Sequence, residues 1–160
     1  MSATAVDPYA VRVAVTGADL QACYAVRREV FVVEQGVPEE LEYDAHDADA
    51  VHVLAVGSDG TALGTGRLLT GRAAAERVGG DASVGSLGRL AVSKAARGLG
   101  IGAEVVRAIE GEASRLGLAA VDLHAQTQAL GFYSRLGYEP YGPEFDDAGM
   151  PHRAMRRALR

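Results

Sequence analysis

The sequence predicts a single α/β domain with a mixed central sheet of six to seven strands and about four helices. Three observations carry this reading. One hundred and sixty residues, 48% of them apolar, suit one compact core. Short alternating or apolar runs are interleaved with segments whose apolar residues recur at helical spacing. Their order is one strand and one helix, an antiparallel middle, then strand-helix-strand-helix-strand, and that order requires a mixed sheet.

Each element has its own warrant. Residues 1–10 read as a flexible N-terminal end and 11–160 as the domain. Val11, Val13 and Val15 alternate with Arg12 and Ala14, as in a half-buried strand. Residues 16–19 supply capping groups for a helix with Leu20, Cys23, Tyr24, Arg27, Val30 and Phe31 on its buried face; Gly36 and Pro38 stop it. An acidic loop follows, with Glu39, Glu40, Glu42, Asp44, Asp47 and Asp49 and neither Lys nor Arg. Residues 51–56 and 61–69 are the strands of a hairpin turning on Gly57-Ser58-Asp59-Gly60. Residues 70–85 form a loop with a helical turn at 73–77. Residues 87–93 form a strand, and 97–102 a tight glycine loop. Ile101, Val105, Ile109 and Leu116 mark a long helix ended by Gly117. A strand at 121–124, a helix carrying Ala129, Phe132 and Leu136, and strands at 138–141 and 152–159 complete the chain.

Composition excludes several partners. A net charge of -5 argues against nucleic acid, whose binding relies on neutralised phosphates. No apolar run reaches the length of a membrane span, and no export signal is visible. The lone Cys23 leans towards a reducing compartment, so a cytoplasmic location is expected. No metal site is expected, because Asp44, His46, Asp47 and Asp49 lack the spacing of a calcium loop. Glycine is in excess, with 20 residues, and twelve of them fall from Gly57 to Gly102.

The densest cluster is Arg97-Gly98-Leu99-Gly100-Ile101-Gly102, between a strand and a helix. Backbone N–H groups at a helix start point outward, the helix dipole adds partial positive charge, and glycines let a phosphate approach closely. Arg97 adds a charged donor. A pyrophosphate-bearing ligand follows. Gly98, Gly100 and Ala103 also satisfy the dinucleotide spacing, but too little chain follows for a doubly wound unit, and Asp122 lies inside a strand. No Lys-Ser or Lys-Thr pair follows the glycines, which excludes a Walker loop.

These residues resemble a known family. Arg97-x-x-Gly100-x-Gly102, after the strand, is similar to the acetyl-CoA loop of the GCN5-related N-acetyltransferases (GNAT). Gln126-x-x-Ala129-x-x-Phe132-Tyr133-x-Arg135-x-Gly137-Tyr138 resembles that family's second signature. The segments from Arg27 to Gln35 and from Asp147 to His152 resemble its ElaA-like subgroup. The resemblance implies a GNAT-like domain whose two central parallel strands splay apart. The pantetheine arm of acetyl-CoA, the co-substrate, would then pair with Leu90, Ala91 and Val92. Its pyrophosphate would sit on Gly98, Leu99, Gly100, Ile101 and Gly102 beside Arg97, with Gln126 and Tyr133 completing the coenzyme site.

Direct transfer to a primary amine needs a base, an oxyanion donor and an acid for the leaving thiolate. Tyr133 is the expected acid. Many relatives carry a glutamate on the central strand as base, where this chain has Gly88, and ElaA-like proteins tend to share that glycine. The base is therefore sought among Glu34, Asp44, His124 and His152. The acceptor is expected to be a small-molecule or peptide amine, and the acidic loop suggests a cationic one. Two other readings stand: an acyl-CoA-binding sensor without catalysis, and an enzyme like the acyl-homoserine lactone synthases. A homodimer is left open.

Overall fold

The computed structural model describes residues 9–159. In chain order the elements are β1 (Tyr9–Val13), α1 (Gly17–Arg27), α2 (Glu39–Glu42), β2 (Val51–Gly57), β3 (Ala62–Leu69), α3 (Gly71–Arg77) and β4 (Val84–Val92). Then come α4 (Ile101–Arg115), β5 (Ala120–Gln126), α5 (Leu130–Arg135), β6 (Glu139–Asp147) and β7 (Met150–Ala158). The seven strands form one sheet in the order β1-β2-β3-β4-β5-β7-β6. Only β4 and β5 are parallel neighbours; every other pair is antiparallel. The mixed α/β sheet predicted from the sequence is the sheet observed.

Both faces of the sheet are covered, as the alternation along β2 dictates. Val53 and Ala55 pack beneath α4 with Val105, Val106 and Ile109. Leu54, between them, turns to the other face and meets Cys23 of α1. Helix α4 sits unusually close, because β3 presents Gly66 beneath it. A Cβ at Gly66 would lie 2.7 Å from Ile109 Cδ1 and 2.9 Å from Val105 Cγ1. Part of the glycine excess therefore serves helix–sheet packing rather than turns.

Local chemistry accounts for the helix ends. The Thr16 hydroxyl accepts a 3.0 Å hydrogen bond from the Asp19 N–H and caps α1. Helix α1 does not run on to Gly36 as one α-helix. From Arg28 to Glu34 it widens into a π-helical stretch, closed by Gln35 N–H donating to Val30 O at 3.0 Å. Such stretches concentrate at functional sites.

Several boundaries depart from the expected ones; β4, for instance, begins at Val84 rather than at 87, and β5 spans Ala120–Gln126. The first strand already includes Tyr9 and Ala10, which pair with Gly57 and Val56; the rest of the expected flexible end, residues 1–8, lies outside the described residues. Strand β6 runs on to Asp147 instead of stopping near Tyr141. Gly142 and Pro143 look like a stop, yet they fall where the register breaks between Tyr141 and Phe145. β6 is an edge strand, where a residue without an N–H is tolerated. Among the described residues, no helix is long and apolar enough to cross a membrane.

Candidate active site

β4 and β5 pair only from Val84↔Ala120 to Leu87↔Leu123. Gly88 and His124 come next in register, at the point where the strands part. Leu87 and Leu123 point into the core beneath α4, so strand alternation turns His124 and Asp122 to the opposite face. A cleft of about 960 Å³ opens from the gap, and Gly88, Leu90, Ala91, Val92, His124 and Tyr133 all line it.

A bulge shapes the β4 wall. Thr65 pairs with Ala91 and Arg67 with Gly88, so Arg89 and Leu90 both stand opposite Gly66. Arg89 takes a left-handed conformation (φ 51°), which is uncommon for a residue with a side chain. The extra residue returns Leu90 to the face of Leu87 and leaves Ala91 packed with Val26 and Val30. The half of β4 beyond Leu87 keeps its ladder with β3 alone, and its other edge faces the cleft.

The glycine loop closes one end. Gly98 (φ 88°) and Gly100 (φ 80°) adopt left-handed backbone that curls the chain into α4. Gly100 is the N-cap and brings no side chain, so N–H groups of the first turn are left for a ligand. Ile101 buries its side chain in the core and offers the site its backbone. A Cβ on Gly102 would come within 3.2 Å of Phe132 Cζ, so glycine lets the α5 ring approach. Leu99, in the same loop, is 51% exposed, and its carbonyl accepts from the Tyr9 hydroxyl at 3.4 Å.

A scan of known families now adds to this geometry. The model for an acetyltransferase (GNAT) domain matches residues 12–159. The chain belongs to the GNAT family. A Bacillus subtilis protein named for an acetyltransferase is 37% identical over 142 residues, covering 87% of this chain and 89% of that protein. Among solved structures, an acyl-CoA N-acyltransferase of Pseudomonas aeruginosa is similar at 32% identity and a TM-score of 0.77, covering 94% of this chain and 98% of that one. ElaA of Escherichia coli is similar at 26% identity and a TM-score of 0.77, covering 93% and 97%. As a GNAT enzyme the chain is an N-acyltransferase, and the splayed pair β4–β5 is the part of the GNAT fold that the sequence led us to expect.

The candidate catalytic groups of this GNAT domain fall into different environments. Tyr133 is buried between Phe132 and Tyr138, with ring centroids 5.0 and 6.0 Å away. Its hydroxyl has no hydrogen-bond partner among the described residues, and burial pushes its pKa far up, so it stays protonated. Burial moves His124 the other way, below the usual imidazole value, and the charge of Asp122 only partly offsets that. His124 is thus neutral at pH 7. Its Nε2 lies 3.9 Å from Asp122 Oδ1, a buried oxygen without a hydrogen-bond partner. The other Asp122 oxygen accepts from Arg156 Nε at 3.0 Å and from the Tyr141 hydroxyl.

Two expected roles need correction. Glu34 is not placed as a free base: it accepts from both terminal nitrogens of Arg97, at 2.7 and 2.6 Å, and these bonds hold its carboxyl below the usual range. Arg97 correspondingly meets Glu34 and, through Nε, the Val92 carbonyl at 3.2 Å. The acidic loop is likewise not a set of free carboxylates. Arg27, fully buried, donates to Glu42 Oε1 at 2.5 Å and to Asp47 Oδ1 at 2.7 Å. Arg67 donates to Asp44 Oδ1 at 2.7 Å and to Asp47 Oδ1 at 2.9 Å. Against the upward push of burial, these arginines hold Asp44 and Asp47 below the usual carboxylate range, so Asp44 is no base. Cys23, expected on the buried face of its helix, is buried there on α1, and burial raises its thiol.

Other expected residues are brought together. Gln126 donates to Gln35 Oε1 at 3.0 Å, tying the end of β5 to the segment after the π-helical stretch. His152 lines the cleft with Nδ1 2.8 Å from the Met150 carbonyl and its ring stacked on Phe145. Sequence reasoning missed Arg77 and Arg89, which line the far end of the cleft, and Asp122, whose strand position hid its approach to His124. The i,i+2 spacing of Asp122 and His124 on one strand was the available signal.

Proposed function

We propose that this chain moves an acetyl group directly from acetyl-CoA to a primary amine, with His124 as the base and Tyr133 as the acid. The observation that carries the reading is the register of the splay. Gly88 and His124 are the first residues past the last β4–β5 pair, so His124 stands beside the space a longer residue at 88 would fill, with both lining the cleft. A Cβ at Gly88 meets nothing within 4 Å, which leaves that space open.

The chemistry follows from the environments. An alkyl ammonium with a pKa near 10 must lose a proton before attack, and the neutral His124 imidazole takes it, directly or through water. The nitrogen lone pair then forms the N–C bond as the carbonyl π pair moves to oxygen, and the adduct's nitrogen releases its second proton to solvent, as His124 later releases the first. Backbone N–H along Leu90–Val92 holds the oxyanion, and such a donor contributes about 3 kcal/mol. When the C–S bond breaks, its electron pair stays on sulfur and the Tyr133 hydroxyl protonates it; solvent returns the proton to Tyr133. N–H groups of the loop from Gly98 to Gly102 hold the pyrophosphate, and Arg97 is in reach once it exchanges Glu34 for phosphate.

Thermal unfolding tests the coenzyme half of this reading. Acetyl-CoA at 100-fold over its Kd stabilises a one-site protein by about 2.7 kcal/mol, or about 5–10 °C in Tm at this size. Stabilisation by NAD and not by acetyl-CoA would overturn the reading.

A further inference from the structure

We infer that the amine acceptor carries an anionic group, a carboxylate or a phosphate, which docks on Arg77 and Arg89 at the end of the cleft beyond His124. This inference rests on the transfer reading above and names the substrate class of that site.

The ion-pair cluster beside the cleft is short of negative charge. Arg27, Arg67, Arg77 and Arg89 face Glu42, Asp44 and Asp47, four cations against three carboxylates. Glu42 and Asp47 are occupied by Arg27, and Asp44 Oδ1 by Arg67. What remains is Asp44 Oδ2, shared by Arg89 Nη2 at 3.3 Å and Arg77 Nη2 at 3.8 Å. Both contacts are long for a guanidinium–carboxylate pair. Arg67 Nε, in the same cluster, is buried with no acceptor at all.

The two loosely held arginines are also the two that a ligand can touch. Their side chains are 33% and 22% exposed, and both line the cleft; Arg27 and Arg67 are buried and do not. Arg89 is fixed by hydrogen bonds to the Glu42 carbonyl at 3.1 Å and the Leu41 carbonyl at 3.4 Å, and it is the left-handed residue of the bulge. Burial and then the charges of Arg67 and Arg27 lower its pKa, the mark of a cation in a positive surrounding. Strain held at a cleft residue fits a ligand clamp.

The location suits a short acceptor. The backbone of Arg77 lies against His124, so the anion site is within a small molecule's length of the base. Asp147, on the cleft rim, offers the opposite charge to the ammonium end. Positive charge nearby also lowers the pKa of a bound amine and favours the free nucleophile. A purely cationic acceptor would meet repulsion instead.

Rates with acetyl-CoA and matched acceptors test this: alanine against alaninamide, and phosphoethanolamine against ethanolamine. The expected result is a KM at least tenfold lower for the anionic member of one pair. Arg77→Gln, a change on a half-exposed helix, should abolish that preference by raising the KM of the anionic member at least tenfold, well beyond any change in the neutral member. Equal KM values within both pairs, or an equal rise for both members in Arg77→Gln, would overturn the inference. The pair that shows the preference identifies carboxylate or phosphate. Thermal shifts with CoA plus N-acetylalanine or N-acetylalaninamide, and plus N-acetylated phosphoethanolamine or ethanolamine, separate the two levels. Stabilisation by an anionic product alone, with no transfer to any amine, supports the anion site and overturns the transfer reading. Transfer without charge preference does the reverse.

Discussion

His124 Nε2 stands 3.9 Å from Asp122 Oδ1, a carboxylate oxygen buried with no hydrogen-bond partner. Asp122 therefore keeps negative charge available to the imidazolium that forms when His124 takes a proton. Burial sets the resting state and holds the imidazole neutral. Both effects suit a base that must gain and release a proton on each turnover.

Replacing His124 by Asn should lower kcat by about 10²–10⁴, the usual range for a positioned base. The shape of the pH profile checks it further. Because burial lowers the His124 pKa from 6.5, kcat should fall only on the acid side, with the midpoint of that limb below pH 6.5. That limb should vanish in the variant.

Tyr133→Phe removes a hydroxyl that makes no hydrogen bond among the described residues, so the fold loses little. A fall in kcat of about tenfold or more, with the KM for acetyl-CoA within twofold, is the expected outcome. Steady-state kinetics read it directly. Unchanged kcat would remove the tyrosine from the mechanism.

Gly66→Ala tests the close approach of α4. Its Cβ would press on Ile109 and Val105 at 2.7 and 2.9 Å, and overpacking of this kind costs about 1–3 kcal/mol. Denaturant unfolding should show a lower midpoint with an unchanged slope.

The buried ion network gives a test in acid. Arg27→Ala leaves Glu42 without its arginine and Asp47 with Arg67 alone, at a cost of about 3–5 kcal/mol. Asp47, held far below the usual range in the fold, contributes stability that is full above its unfolded pKa of about 3.9. That contribution is lost as pH falls through the folded value. The stability gap between the parent and Asp47→Asn should therefore be constant above about pH 5 and shrink below pH 4.

The fold was legible because its signals are local. Thr16 caps the helix it was expected to cap, the turn at Gly57–Gly60 makes the hairpin, and the loop from Gly98 to Gly102 starts α4. The glycine-loop end of the cleft was legible for the same reason. What depends on distant partners was not. Glu34 reads as a free carboxylate because Arg97 is 63 residues away, and the acidic loop reads as open to a cationic acceptor because Arg27, Arg67 and Arg89 come from other elements. The bulge at Arg89 was hidden because a non-glycine residue gives no hint of positive φ.

Acetylation of amines by the purified protein tests the central proposal most directly. With acetyl-CoA and a panel of amines spanning neutral, anionic and cationic members, one or more should yield an N-acetylated product in equal amount to the free CoA thiol, and His124→Asn should suppress both. Acetyl-CoA that binds and stabilises the protein, yet releases no thiol with any amine in the panel, would contradict it.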